Sequence, residues 1–87
     1  MYRLKFVDKW DKYFENLPPD IKVRMLKKLE KIKQGLPARH LKFGFPFFVE
    51  EVGQYRICYE EDEKNRIRII QYAGNHKDYE KWCQSQK

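Results

Sequence analysis

The sequence predicts an α+β domain in which a two-helix hairpin packs on one face of a four-stranded sheet, with elements in the order β-α-α-β-β-β. Three observations predict it. An alternating apolar segment comes first, two segments with apolar residues at helical spacing follow, and three alternating segments separated by short turns complete the chain. Consecutive strands joined by short turns are antiparallel, and helices grouped ahead of such a meander are typical of α+β domains.

The N-terminal half begins with a strand and a first helix. Apolar and basic residues alternate over Tyr2–Val7, which indicates a strand with one buried face. Apolar residues then recur at helical spacing from Trp10 to Leu17. Pro18 and Pro19 end this helix, because proline disfavours helical backbone in the residue before it.

The second helix has clear signals at both ends. Pro19 or Asp20 opens it, and Gly35 is placed to end it in the left-handed conformation. Its apolar residues form one stripe: Ile21, Met25, Leu29, Ile32 and Leu36. The rest of the helix is basic, with six Lys or Arg against two acidic residues between positions 20 and 34, for a net charge of +4. This concentration of charge is suited to attract a polyanion.

The C-terminal half is predicted to contain three strands and a short terminal segment. The strands are Phe45–Val52, Tyr55–Glu61 and Arg66–Ala73. Gly53 and Gln54 make the first hairpin turn, and the polar run at 62–65 makes the second. Residues 76–82 are expected to form only a short helical turn.

Length and charge limit the classes of function. The chain, residues 1–87, is expected to form a single domain. Its net charge of +6 indicates an anionic partner, which on charge alone can be nucleic acid, an acidic protein or an acidic membrane surface. No apolar run approaches the ~20 residues that span a bilayer, and the N-terminus lacks a signal-peptide pattern. The protein is therefore expected in the cytoplasm, without a membrane partner.

The usual signatures of cofactor and metal sites are missing from the sequence. It has no Gly-rich phosphate loop, no GxSxG and no HExxH. Cys58 and Cys83 are 25 residues apart and belong to no Cys/His cluster, so both are expected to be reduced thiols rather than zinc ligands. Adjacent acids such as Glu50 and Glu51 point to opposite faces of a strand. Neither a metal nor a cofactor is therefore expected.

Three residues of the C-terminal half have the chemistry needed to cleave RNA without a metal. Arg56, within the strand YRICY, suits phosphate because its planar fork makes two hydrogen bonds and stays charged. His76 titrates near neutrality and can transfer a proton. Tyr79 is an aromatic side chain of the kind that stacks on a base. In this reaction the 2′-hydroxyl loses a proton, the 5′-oxygen gains one and a cation stabilises the phosphoryl oxygens.

These segments also carry a family resemblance. GQYRICYEED followed by RIRIIQYAGNHKDYEKW resembles the RelE/ParE superfamily of toxins from bacterial and archaeal toxin–antitoxin pairs. The matching strand residues are Gly53, Tyr55, Arg56, Ile57 and Tyr59. The matching C-terminal residues are Gly74, His76, Lys77 and Tyr79. The helical hairpin and the size also fit, so the resemblance covers essentially the whole chain.

The resemblance implies a function and a partner. RelE-like toxins are ribosome-associated endoribonucleases that cleave mRNA, and a cognate antitoxin inhibits each of them by wrapping an extended chain around it. By motif match, Arg56 resembles the phosphate-stabilising arginine, while His76 and Tyr79 resemble the acid/base and base-stacking positions. Together with the basic helix, this gives the expected RNA contacts: Lys42, Arg39, His40, Lys77, Lys27 and Lys31.

One departure from the family pattern leaves the general base open. Many RelE-like toxins carry Lys or Arg on the strand before the arginine, where this chain has Glu50 and Glu51. The base can be His76, one of these glutamates, or His40 in the preceding loop. Two other functions also stay open, a ParE-like inhibitor of DNA gyrase or topoisomerase and an RNA-binding module without chemistry. The pairing of His76 with Tyr79 favours the nuclease branch.

Overall fold

A computed structural model describes residues 1–37 and 47–86 of the chain. Its elements in chain order are β1 (Arg3–Phe6), α1 (Trp10–Glu15), α2 (Pro19–Gln34), β2 (Phe48–Val52), β3 (Tyr55–Asp62), β4 (Ile67–Asn75) and α3 (His76–Ser85). The predicted α+β class and the order β-α-α-β-β-β are confirmed, and a third helix follows the last strand. None of the described helices is both long and apolar enough to cross a bilayer.

The four strands form one mixed sheet in the order β1-β4-β3-β2. β2, β3 and β4 make the predicted antiparallel meander. β1 lies at the opposite edge from β2 and pairs in parallel with β4, the last strand of the chain. A parallel pair needs a long crossover connection, which α1, α2 and the first two strands of the meander provide. The first and the last strand of the chain are therefore neighbours in the sheet.

The helical hairpin packs on one face of the sheet, as predicted. The core between them contains Trp10, Leu17, Ile21, Met25, Leu29 and Ile32 from the N-terminal half and Val52, Ile57, Tyr59, Ile70 and Ala73 from the sheet. We call this side of the sheet the hairpin face. The apolar stripe read from the second helix thus supplies most of the helical side of the core.

The opposite side of the sheet is covered by α3. Cys58 alternates with the core residues Ile57 and Tyr59, so it points away from the hairpin face, yet it is fully buried. Its cross-strand partner Tyr72 stacks on Trp82 of α3, with ring centroids 5.0 Å apart and planes inclined by 13°. We call this side the α3 face. The sheet is therefore sandwiched between two helical layers of unequal size.

The boundaries of α2 follow from its end residues. Pro19 occupies the first turn, where its missing N–H costs nothing. Gly35 ends the helix in the left-handed conformation with φ of 104°. Its N–H donates to the Ile32 carbonyl at 3.2 Å, and the Leu36 N–H donates to the Lys31 carbonyl at 3.0 Å. These bonds satisfy the last carbonyls of the helix, and both predicted ends are confirmed.

Several sequence-based boundaries in the C-terminal half are wrong. The middle strand of the meander ends at Asp62 rather than Glu61, and the last strand begins at Ile67 rather than Arg66. The last strand continues through Gly74 to Asn75, and residues 76–85 form a ten-residue helix instead of a short turn. The Asn75 side chain accepts from the Asp78 N–H at 2.8 Å, which caps the helix. The second strand begins at Phe48. Phe47 precedes it and packs its ring on Trp82 at 5.1 Å, and positions 45 and 46 of the predicted strand lie outside the described residues.

A buried arginine fastens α2 to the sheet. Arg68 of β4 is 3% exposed, and its Nε donates to Glu61 Oε1 at 2.8 Å. Its Nη1 donates to the carbonyls of Ile32 and Leu36 at 3.0 and 2.8 Å. The guanidinium also lies 4.1 Å from the centroid of the Tyr2 ring. A cation at the C-terminal end of a helix interacts favourably with the negative pole of the helix dipole. Through these contacts Arg68 connects β4 to β3 and to the end of α2.

Replacing Arg68 should weaken the fold strongly. Arg68→Met leaves the Glu61 carboxylate without its partner and two helix-end carbonyls without donors, so the free energy of unfolding should fall by about 3–5 kcal/mol. Urea unfolding followed by circular dichroism measures it. Arg3→Met, the same change at an exposed position of β1, should stay within about 0.5 kcal/mol of the parent. Equal stabilities for the two variants would contradict a fastening role for Arg68.

Candidate active site

Arg56 lies on the α3 face at the end of β3 that adjoins the β2–β3 turn. It pairs across the strands with Glu51 of β2 and Gly74 of β4. Its Nη1 donates to the Tyr55 carbonyl at 3.1 Å and to the Gly53 carbonyl at 3.4 Å, and its Nη2 lies 3.7 Å from Glu51 Oε1. The side chain is 18% exposed. A guanidinium has five N–H donors, so these contacts orient it and leave donors for a ligand.

His76 is held at the same end of the sheet by its backbone. Its N–H donates to the Gln54 carbonyl at 3.0 Å, which fastens the first residue of α3 to the β2–β3 turn. Its side chain is 55% exposed, and Nε2 lies 3.0 Å from Glu80 Oε1 one turn further along the helix. A carboxylate that accepts from Nε2–H leaves Nδ1 as the basic nitrogen. The imidazole is therefore exposed, tethered and oriented.

Tyr79 lies one turn after His76 and is half-buried against the α3 face. Burial raises the pKa of its phenol above the usual range, a hydrogen bond with Cys83 raises it further, and the nearby Arg56 guanidinium opposes the shift. The phenol is therefore neutral at physiological pH. A neutral phenol can donate a hydrogen bond or a proton, and it cannot act as a base there.

These placements bring the three residues to one end of the sheet. Arg56 and Gly74 are cross-strand partners, and His76 follows Gly74 by two residues. Tyr79 is near enough to Arg56 for the guanidinium charge to act on the phenol. A cation, an exposed imidazole and a neutral phenol thus surround the place where α3 leaves β4.

The two glutamates of β2 have separate surroundings. Glu50 points to the hairpin face, is 8% exposed, and lies 4.0 Å from Lys28 Nζ. Glu51 is exposed on the other side and pairs with Arg56. Of the alternatives for a general base, Glu51 therefore contacts the arginine, and His76 follows Gly74, the cross-strand partner of the arginine, by two residues. Glu50 lies on the other face of the sheet. His40 lies outside the described residues.

The predicted RNA-contacting residues lie in separate parts of the structure. Lys77 is exposed in the first turn of α3, beside His76. Lys27 and Lys31 are exposed on α2, on the other side of the β2–β3 turn. The remaining predicted contacts lie outside the described residues: Arg39, His40 and Lys42. Among residues 1–37 and 47–86, no group of three or more His, Cys, Asp or Glu side chains is placed to hold a metal ion.

Several residues that shape this site were missed from the sequence. Asn75 positions α3 as its N-cap, and the Asn-x-x-Asp spacing to Asp78 was an available signal for it. Cys83 supports Tyr79 from one turn further along α3, the i, i+4 spacing of helix neighbours. Gln54 anchors His76 through its backbone carbonyl, which no side-chain motif reveals.

Solved structures of RelE toxins share this architecture. The E. coli RelBE toxin–antitoxin complex matches with a TM-score of 0.75 at 16% identity, covering 86% of this chain and 96% of that chain. The isolated E. coli RelE toxin matches at 0.75 and 15%, covering 100% of both chains. The RelB–RelE complex from Methanococcus jannaschii matches at 0.72 and 18%, covering 90% of this chain and 96% of that one. No protein-family model and no curated protein matches the chain. The chain therefore has the fold of the RelE toxins.

The buried tyrosines of the α3 face should make the protein sensitive to alkali. Burial raises the pKa of Tyr72 from 10.0 to about 12 and shifts that of Tyr79 in the same direction. Between pH 10 and 12 the folded chain keeps protons that the unfolded chain releases, so its free energy of unfolding should fall as the pH rises through this window. Urea unfolding at a series of pH values measures this fall.

The tyrosinate absorbance of the folded protein provides the matched measurement. Tyr72→Phe and Tyr79→Phe should each remove one late-titrating group and flatten the fall in stability. If all six tyrosines of the folded protein ionised together near pH 10, the burial of these two phenols would be contradicted.

Proposed function

We propose that this chain, with its RelE-like fold, is the toxin of a toxin–antitoxin pair and a metal-free endoribonuclease that cleaves mRNA on the ribosome. The observation that carries the proposal is the grouping of Arg56, His76 and Tyr79 where β4 passes into α3. Each supplies one of the functions that phosphodiester cleavage by an internal hydroxyl requires.

His76 is proposed as the general base. Glu80 engages Nε2 at 3.0 Å, so Nδ1 is the nitrogen available to take the proton from the 2′-hydroxyl. The resulting alkoxide attacks the adjacent phosphorus, and the bond from phosphorus to the 5′-oxygen breaks. The products are a 2′,3′-cyclic phosphate on one fragment and a 5′-hydroxyl on the other. The exposure of the imidazole leaves room for an RNA strand to reach it.

Arg56 and Tyr79 are proposed to act on the other atoms of the reaction. The guanidinium binds the non-bridging phosphoryl oxygens, whose negative charge grows in the transition state. The neutral phenol of Tyr79 donates to the departing 5′-oxygen, because its raised pKa keeps its proton in place until the leaving group needs it. Its ring can also stack on a neighbouring base.

The basic side chains are proposed to hold the rest of the strand. Lys77 follows the catalytic imidazole directly, and Lys27 with Lys31 extends the positive surface onto α2. Arg39, His40 and Lys42 are proposed contacts from the sequence alone. Phosphate contacts of this kind fix the register of the strand without reading its bases.

A cognate antitoxin is the proposed protein partner. Similar structures include complexes of RelE toxins with their RelB antitoxins. For this chain of net charge +6, the matching partner is a small acidic protein that is partly disordered alone and folds onto the basic surface. Because mRNA and ribosomes are its proposed targets, the proposed place of action is the cytoplasm.

Loss of the arginine or the imidazole should abolish cleavage without unfolding the protein. Arg56→Ala and His76→Ala should each lower the rate of mRNA cleavage by about 10²–10⁴-fold, because each removes a group that acts in the transition state. Primer extension on a chosen mRNA after pulse expression measures cleavage, and circular dichroism verifies folding. Lys64→Ala, at an exposed position of the turn that follows the opposite end of β3 from Arg56, serves as the control and should cleave like the parent.

The other candidate functions give different results in the same strains. A ParE-like inhibitor leaves mRNA intact and produces supercoiling defects instead. A binding module without chemistry shows salt-dependent RNA affinity and no cleavage product. Full cleavage by both Arg56→Ala and His76→Ala on isolated ribosomes would rule out the proposed roles of these side chains.

A further inference from the structure

A second basic site lies on the other side of the β2–β3 turn from Arg56. It is a cavity of about 350 Å³ between α2 and the turn. The residues around it are Arg24, Lys27, Lys28, Lys31, Glu51, Val52 and Gly53. We call it the α2 cavity. Of these residues, Glu51 and Gly53 also contact Arg56.

The positive charge of the α2 cavity is largely uncompensated. Its four cations stand at positions i, i+3, i+4 and i+7 of one helix, where like charges repel one another. Within the described part of the chain, Lys28 has a carboxylate at 4.0 Å, that of Glu50, whereas Arg24, Lys27 and Lys31 have none within that distance. A bound anion would relieve this repulsion, so the cavity is suited to a negatively charged ligand.

Gly53 connects the α2 cavity to the site of Arg56. On one side of it lies the Arg24 guanidinium, so close that a Cβ at position 53 would be 3.0 Å from Nη1. On the other side, Arg56 donates to the Gly53 carbonyl at 3.4 Å. The positive φ of 61° at this residue also favours glycine. Two guanidiniums therefore flank a single turn residue.

We infer that the α2 cavity binds a backbone phosphate of the same RNA strand whose scissile phosphate lies at Arg56. The strand would cross the β2–β3 turn, with Arg24 holding one phosphate and Arg56 another. Phosphate is favoured over a peptide carboxylate because Glu51 and Gly53 of the cavity also contact Arg56 of the proposed cleavage site. Arg is also suited to bind phosphate through two donors at once. The inference rests on the proposed function and adds Arg24 and Lys28 to its RNA contacts.

The negative charge of Glu51 lies between the two proposed phosphate sites. Its carboxylate borders the α2 cavity and also pairs with Arg56. A negative charge at this point opposes phosphate on both sides of the turn. Removing that charge should therefore strengthen the binding of a polyanion, whereas removing Arg24 should weaken it.

The test uses binding to a strand that cannot be cleaved by this chemistry. The probe is a single-stranded DNA of about ten nucleotides, which spans both sites and lacks the 2′-hydroxyl. Binding is followed by fluorescence anisotropy at a series of salt concentrations. Arg24→Gln and Lys31→Gln should each weaken binding and lower the slope of log affinity against log salt by about 0.7, the loss of one phosphate contact. Glu51→Gln should tighten binding.

Lys64→Gln is the matched control. Lys64 is exposed in the turn that follows β3, at the opposite end of that strand from Arg56. Its replacement by Gln removes one positive charge, as Arg24→Gln and Lys31→Gln do. It should leave the salt slope at the parent value. Inorganic pyrophosphate should also raise the thermal midpoint of the parent more than that of Arg24→Gln, because a ligand at a given concentration stabilises the folded chain more when it binds more tightly.

The outcomes separate this inference from the proposed function. If Arg24→Gln and Lys31→Gln behave like Lys64→Gln, the α2 cavity is not a phosphate site, whatever the protein does to mRNA. If these variants lose binding of polyglutamate while keeping that of the DNA, the cavity takes an acidic protein chain and the inference is overturned. If the slope changes as expected but the parent cleaves no mRNA, the phosphate site stands and the nuclease proposal fails.

Discussion

The register between β3 and β4 is the constraint on which the candidate site depends. Tyr59 pairs with Ile70 and Cys58 pairs with Tyr72, so β4 carries one extra residue, a bulge, between these two rungs. A shift of one residue exchanges the faces of every side chain beyond it. Because of the bulge, Ile70 and Ala73 both join the core of the hairpin face, while Tyr72 and Gly74 point toward α3. The same shift sets Gly74 opposite Arg56 and lets α3 begin beside the β2–β3 turn.

The fold could be predicted from the sequence wherever its signals are local. Alternation and turn residues located the meander, and the proline and glycine at the ends of α2 located that helix. The partner of β1 could not be predicted, because parallel pairing with β4 joins segments more than sixty residues apart. The length of α3 was missed because its apolar residues are few and its cap, Asn75, is a polar residue at the end of a strand.

The candidate site could likewise be predicted from the sequence only in part. The strand and turn pattern allowed Arg56 and the segment after Gly74 to meet, and the hairpin geometry brings them to one end of the sheet. The hydrogen bond that the Tyr79 phenol donates to Cys83 and the hydrogen bond from the His76 N–H to the Gln54 carbonyl depend on how α3 lies on the sheet. The approach of Arg24 to Gly53 depends on how α2 is rotated against the turn. Such rotations are settled by packing across the whole core, which no local pattern encodes.

The glutamates of β2 explain how the positive surface is distributed. Where the resemblance implies basic residues on this strand, the chain has Glu50 and Glu51, which alternate between the two faces. Glu50 engages Lys28 on the hairpin face and Glu51 engages Arg56 on the α3 face, so each glutamate restrains a cation on its own side. The uncompensated charge is then carried by Arg24, Lys27 and Lys31 on α2. If the chain binds RNA as proposed, this distribution of charge would draw the strand across the β2–β3 turn rather than along β2, and Gly53 of that turn lies beside both guanidiniums.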